Sequence, residues 1–127
     1  VEVFRHIKKF RFSMLDPVYH TSVNKEVYDW YVDQLMYRYV LLPSGEVTAQ
    51  DKGNPSGQIS TTMDNNLVNT FLQAFEFAYV HPDLDLDELR ILYDQCDSAI
   101  YGDDRLTSWP IIPEDYINKV VGMYKHI

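Results

Sequence analysis

An α+β fold is what this 127-residue chain predicts, and three observations predict it. Apolar residues recur at helical spacing in several stretches, two segments carry β-hairpin signatures, and glycine and proline punctuate the joins. Residues 3–12 alternate apolar and basic groups in a way that allows a short helix, and Asp16-Pro17 marks the turn after it. From about Ser22 to Tyr39, the residues Val27, Trp30, Tyr31, Gln34, Leu35 and Arg38 form a stripe at helical spacing, with Ser22 as candidate N-cap. Tyr39-Val40-Leu41-Leu42 and Glu46-Val47-Thr48-Ala49 then flank Pro43-Ser44-Gly45, a hairpin in which proline fixes φ and glycine takes the positive φ.

The second half repeats this alternation of helices and a hairpin. Met63, Leu67, Phe71, Phe75 and Ala78 form an apolar stripe, so a helix runs from near Thr61 to Tyr79, and His81-Pro82 stops it. Asp85 and Glu88 have capping-box spacing ahead of Leu89, Leu92 and Tyr93. Ser98–Tyr101 and Arg105–Ser108 read as short strands around Gly102-Asp103-Asp104, the first apolar enough for a buried central strand. Pro113 suits the first turn of a last helix, with Tyr116, Val120 and Met123 inward. No repeat, low-complexity tract or linker divides the chain, which reads as one partial domain of four or five helices and two hairpins. Val1-Glu2-Val3 and Tyr124-Lys125-His126-Ile127 read as cuts through a longer protein.

Composition narrows the function classes. Hydrophobic residues at 46% and aromatics at 14% argue for a globular protein and against disorder. No apolar run approaches the roughly 20 residues needed to span a bilayer, so no transmembrane segment is expected in this piece. Cys96 stands alone, which excludes an internal disulfide, and it reads as a small buried residue. His6, His20, His81 and His126 lack metal-ligand spacing, which argues against a zinc site. A net charge of −8 is awkward for a nucleic-acid protein. The basic cluster Arg5-His6-Ile7-Lys8-Lys9-Phe10-Arg11 serves equally as a solvated helix face or as a phosphate contact.

Two blocks carry chemistry. In Tyr101-Gly102-Asp103-Asp104, adjacent carboxylates follow a glycine at the tip of a hairpin. Phosphoryl or nucleotidyl transfer through two Mg²⁺ ions ~3.5–4 Å apart needs carboxylates on rigid backbone, and a paired turn supplies it. Taken alone, the tetrapeptide reads more readily as a solvent-exposed turn, since Gly and Asp are ordinary turn residues. The second block is Gly53-Asn54-Pro55-Ser56-Gly57-Gln58-Ile59-Ser60-Thr61-Thr62-Met63-Asp64-Asn65-Asn66. Thr61 and Asn65 share one helix face, with Asn69 a turn further on, and short neutral groups there can read a ribose hydroxyl without repelling a triphosphate. Ser56-Gly57 forms a flexible entry whose N–H groups suit phosphate or backbone contact. A solvated Asn-rich face with an N-cap serine explains Asn66 well, but not the crowding of Gly53, Pro55 and Gly57 in one loop.

In order, identity and separation the two blocks resemble motifs B and C of viral RNA-dependent RNA polymerases. Tyr39-Val40-Leu41-Leu42-Pro43-Ser44-Gly45-Glu46-Val47-Thr48 and Ile100-Tyr101-Gly102-Asp103-Asp104-Arg105-Leu106-Thr107 look like the astrovirus enzyme over essentially the whole chain. The resemblance implies the partial palm, with some fingers, of a right-hand polymerase, with residues 53–69 as the motif B loop and helix and 98–108 as the motif C hairpin. It implies Asp103 as a ligand of catalytic Mg²⁺, replaceable by Mn²⁺, and Asp104 as a weaker ligand. Ser56, Gly57, Thr61 and Asn65 would contact template and select ribonucleotides, and the helix after Pro113 would begin motif D. The implied partners are RNA template, nascent RNA, ribonucleoside triphosphates and other viral replication proteins. The implied location is host cytoplasm, at membrane-associated replication complexes.

One departure stands out. The family's motif A, a strand-borne aspartate before motif B, is not visible. Asp29 and Asp33 lie mid-helix at i, i+4 and read as surface residues. The 127-residue piece is therefore expected to be inactive by itself. The rival readings are a reverse-transcriptase-like palm, against which Asn65 argues, and a non-catalytic acidic interaction domain with an accidental Gly-Asp-Asp turn.

Overall fold

Helices α1 (Glu2–Ser13) and α2 (Ser22–Met36) are joined by one 3-10 turn at Pro17–Tyr19. They open a computed structural model that describes residues 1–126, within which Val1–Asp64 forms one compact unit and the chain from Asn65 onward a second. The Asp16 carboxylate accepts from Val18 N–H at 2.9 Å, with Pro17 pre-setting φ, so the turn forms where Asp-Pro predicts it. Thr21 rather than Ser22 caps α2. Thr21 is extended, and its hydroxyl accepts from Asn24 N–H at 3.1 Å, whereas Ser22 is already helical.

The inward face of α2 also differs from the predicted stripe. Val32 and Met36 are buried and Tyr28 half-buried, while Val27 and Trp30 are exposed. The cause lies on α1. Tyr28 donates its hydroxyl to Lys8 O at 3.0 Å and its ring meets Phe12 at 5.1 Å, which draws the Tyr28–Val32–Met36 line inward. Arg38, expected on the helix, instead begins strand β1 (Arg38–Leu41), which pairs antiparallel with β2 (Val47–Gln50), Leu41 opposite Val47. Leu42 N–H bonds Glu46 O at 2.8 Å across the turn, and Gly45 takes φ +88° as predicted.

Helix α3 (Thr61–Val80) leads into the second unit, followed by α4 (Leu86–Tyr93), β3 (Asp97–Tyr101), β4 (Asp104–Ser108) and α5 (Tyr116–Tyr124). The capping box of α4 is formed: Asp85 accepts from Asp87 and Glu88 N–H, and Glu88 accepts from Asp85 N–H at 3.0 Å. The core of this unit is aromatic. Phe77 packs on Tyr93 at 5.5 Å and edge-on to Trp109 at 5.2 Å, and Trp109 meets Tyr116 at 5.1 Å. Val80 and Met123 are buried with them.

Three expectations are corrected here. The apolar stripe on α3 is not its buried face: Met63, Phe71 and Phe75 are exposed, while Asp64, Asn69, Gln73 and Glu76 are buried beside Phe77 and Val80. Each of the two buried acids has basic partners from distant sequence, which makes the polar face the one that packs. Strand β3 is not a buried central strand. Its sheet has two strands, and Ser98, Ala99 and Tyr101 are exposed because β4 alone covers them. Pro113 precedes α5 rather than sitting in its first turn, because Asp115 adopts the left-handed conformation at φ +59° and the helix begins after it. Tyr116, Val120 and Met123 of α5 do face inward.

Candidate active site

The site in the second unit is built on the turn between β3 and β4. Tyr101 pairs with Asp104, so Gly102 and Asp103 are the two central residues. Gly102 has φ +65° and Asp103 is not at positive φ, the pattern of a II′ hairpin with glycine first. Any side chain at 102 would be strained, so glycine is what permits two carboxylates at the tip. Both Asp103 and Asp104 are exposed. Asp103 lines a cleft of about 380 Å³ together with Asn65, Val68, Asn69 and Arg105, and Asp104 does not.

Helix α3 holds this turn by its backbone. Gly102 donates its N–H to Asn66 Oδ1 at 2.5 Å. Asn69 Nδ2 faces the carbonyl oxygens of Gly102, Asp103 and Asp104 at 3.4, 3.1 and 3.5 Å. Arg105 donates to Asn69 Oδ1 at 3.5 Å and to the buried carboxylate of Glu76, which also accepts from Tyr116 at 3.3 Å and Tyr124 at 2.5 Å. Burial, together with the bond to the Glu76 carboxylate, raises the Tyr124 phenol well above its ordinary range, so it stays a donor. Asn66, which a solvated helix face explains well from sequence alone, is instead engaged with the turn. Asn69, Glu76 and Arg105 complete one network that no local sequence pattern connects. The i, i+3 spacing of Asn66 and Asn69 was the available signal.

Of the remaining predicted residues, Asn65 lies in the cleft with Asp103, while Ser56, Gly57 and Thr61 belong to the first unit. Ser56 and Gly57 are exposed on the loop, five and four residues ahead of the first helical residue, Thr61. Gly57 has φ +81°. The Thr61 hydroxyl reaches Pro55 O at 2.7 Å and Gln58 O at 3.0 Å, so its proton serves the loop. Arg38 holds the loop's start through Lys52 O and Gly53 O at 3.1 and 3.2 Å and ties it to Leu35 O of α2 at 2.8 Å.

A buried ionic cluster anchors the loop's end. Asp64 pairs with Lys8 at 2.6 Å and Arg11 at 2.5 Å, and accepts from Ser60 at 2.8 Å and Gln58 at 3.0 Å. Burial alone would raise the Asp64 pKa, but the bonds from Lys8, Arg11 and Ser60 together hold it below the ordinary carboxylate range. The basic cluster of α1 is therefore not wholly a solvated face: Lys8 and Arg11 turn to Asp64, and Arg5 pairs with Asp33. Asp29 and Asp33 are surface residues paired with Lys25 and Arg5, as their spacing suggests.

Asp103 and Asp104 present hard carboxylate oxygens, the kind Mg²⁺ and Mn²⁺ take. No group of three or more His, Cys, Asp or Glu side chains among the described residues could hold a metal. Mg²⁺ is commonly held by one or two carboxylates plus water and substrate phosphates, and the pair fits such a set. No helix among the described residues is long and apolar enough to cross a membrane.

The α+β chain with a Gly-Asp-Asp hairpin held against an asparagine-bearing helix belongs to the viral RNA-dependent RNA polymerase family, whose model matches residues 2–127. It is 61% identical over 126 residues to the non-structural polyprotein 1AB of Ovine astrovirus 1 and 60% identical to that of Mink astrovirus 1. The polyprotein of Human astrovirus-4 is 51% identical over 126 residues. The Ovine and Mink alignments cover 99% of this chain but 9% of each polyprotein, so the chain spans less than a tenth of these relatives. No solved structure matches it.

Proposed function

We propose that this chain is the part of an RNA-directed RNA polymerase palm that carries motif B (residues 53–69) and motif C (98–108). The parent enzyme joins ribonucleotides on an RNA template. The 3′ hydroxyl oxygen of the nascent RNA forms a bond to the α-phosphorus of the incoming triphosphate as the bond to pyrophosphate breaks. One observation carries the reading: Asp103 and Asn65, from separate motifs, line the same cleft. An accidental acidic turn has no reason to share a cleft with an asparagine whose spacing suits ribose contact.

Asp103 would hold the divalent metal, with Asp104 outside the cleft as the lesser ligand. When bound, such metals supply Lewis acidity to the attacking hydroxyl and neutralise charge on the departing phosphates. Asn65 presents an amide to the ribose side of the cleft. Ser56 and Gly57 offer an exposed hydroxyl and backbone N–H groups to template or nucleotide, and Thr61 retains lone pairs while its proton organises the loop. In this reading the other viral replication proteins are partners of the parent protein, which works in host cytoplasm at membrane-associated complexes.

The test is single-nucleotide incorporation by the full-length polymerase carrying Asp103→Asn. The shape is kept and the charge removed, so activity falls by at least about a hundredfold. Near-normal turnover would mean that this turn is not the metal site.

A further inference from the structure

The geometry assigns to Asn66 and Asn69 the task of setting where the Asp103 carboxylate stands, as positioning residues that grip the turn by its backbone. The assignment rests on the reading of Asp103 as a metal ligand. Neither amide has a reacting group as its partner. Asn66 takes the N–H of Gly102, and Asn69 gives its N–H donors to the carbonyl side of Gly102, Asp103 and Asp104. A II′ turn has few internal ways to resist rocking about its strand ends, and the two-stranded sheet beneath it adds little stiffness. Bonds to both the N–H and the C=O groups of the turn, from two residues one helical step apart, remove that freedom.

The chemistry also dictates asparagine at 69. Arg105 is a donor only, so the Asn69 atom facing it must be Oδ1, which leaves the amide nitrogen for the turn. Arg105 is itself fixed by the buried Glu76 carboxylate, on which Tyr116 and Tyr124 converge. Asn69 therefore has one orientation. An aspartate there would keep the Arg105 contact, lose the donor, and set a negative charge against three carbonyl oxygens.

The test uses the full-length polymerase with Asn69→Asp, Asn66→Leu or Asn66→Asp, and Asp103→Asn as reference. Two quantities are read: the Mg²⁺ concentration giving half-maximal single-nucleotide incorporation, and hydrogen exchange of peptides covering 97–108 in metal-free buffer. Asn69→Asp and Asn66→Leu should lower kcat by about tenfold to a hundredfold and raise the Mg²⁺ requirement, with KM for the nucleotide changed by less than about threefold. The hairpin peptides should exchange faster in both, while those covering α4 stay as in the wild type. Asn66→Asp keeps an acceptor for Gly102 N–H and should recover most of the loss. Wild-type exchange and Mg²⁺ requirement in Asn69→Asp and Asn66→Leu, with Asp103→Asn inactive, would overturn the assignment and leave the polymerase reading standing. An active Asp103→Asn would remove that reading and the assignment together. If Asn69→Asp fails to fold, the Asn66 pair decides, and equal behaviour of its Leu and Asp variants overturns the assignment.

Discussion

Lys8 Nζ and Asp64 Oδ2 stand 2.6 Å apart with their side chains 1% and 0% exposed. The ammonium also lies over the rings of Phe4 and Tyr31, at 5.3 and 5.1 Å. The pair ties α1 to the point where the glycine-rich loop becomes α3, so the loop's downstream end has a fixed reference. A buried charge is tolerable only with its partner, and the two partners here are not equivalent. Lys8 has one carboxylate and the Ser60 hydroxyl at 3.1 Å, whereas Asp64 has Lys8, Arg11, Ser60 and Gln58.

That asymmetry predicts unequal losses of stability. Asp64→Ala strands the Lys8 ammonium in the interior, and breaking a buried pair in this way costs about 3–5 kcal/mol. Lys8→Met fills the space with an apolar chain and leaves Asp64 paired with Arg11, so it should cost less. Urea unfolding followed by tryptophan fluorescence gives both values. Equal losses would show that the cluster acts only as packing.

The same carboxylate predicts an acid limb of stability. Asp64 has its folded pKa below the ordinary 3.8, because the bonds from Lys8, Arg11 and Ser60 outweigh the cost of burial. A depressed folded pKa contributes stability that is complete above the unfolded value and is lost as pH falls through the folded one. Unfolding midpoints measured from pH 7 down to about 2 should therefore fall below about pH 4. The Asp64→Asn variant should show a shallower acid limb than the wild type, and identical slopes would contradict the direction of the shift.

The chain by itself should not polymerise. The motif A aspartate that the family resemblance implies is not visible among these residues, and a net charge of −8 repels template and triphosphate alike. Primer extension by the purified 127-residue piece, with Mg²⁺ or Mn²⁺, should give no incorporation. Template-dependent synthesis would show that these residues hold a complete site.

Much of the fold was legible because its signals are local. The Asp85–Glu88 capping box, the turns at Pro43-Ser44-Gly45 and Gly102-Asp103, and the helical periods all depend on neighbours within a few residues. The orientation of α3 was not legible. Its pattern offers Met63, Phe71 and Phe75 as the core, and only the basic partners of Asp64 and Glu76 make the opposite face pack. Those partners lie 53 residues away at Arg11 and 29 at Arg105, beyond the reach of any periodicity. The site divides the same way. Asp103 and Asn65 could be chosen from motif spacing, whereas the grip of Asn66 and Asn69 on the turn needed the fold.

The two aspartates of the turn should behave unequally. Asp103 lines the cleft and Asp104 does not, so on the proposed metal site a ligand lost at 104 leaves the principal oxygen donor in place. Asp104→Asn should reduce incorporation by roughly tenfold, against at least about a hundredfold for Asp103→Asn. Mn²⁺ should recover part of the Asp104 loss. Steady-state incorporation in Mg²⁺ and in Mn²⁺ settles it, and equal defects with no recovery would place both side chains in one role.

Asn65 should govern sugar selection. It shares the cleft with Asp103, on the face of α3 next to the residues that hold the turn. A site built to hydrogen-bond a hydroxyl discriminates against the analogue lacking it, because its buried polar groups are then left unpaired. Asn65→Ala removes the amide, so ribonucleotides should lose more than deoxyribonucleotides. One such contact is worth about 1–3 kcal/mol, so the ratio of incorporation efficiencies for GTP and dGTP should shift by roughly ten- to a hundredfold. Both substrates are measured on one template by single-nucleotide incorporation with the full-length enzyme. An equal loss for GTP and dGTP would show that Asn65 positions template or backbone, and would leave the choice of sugar to other residues of the polymerase.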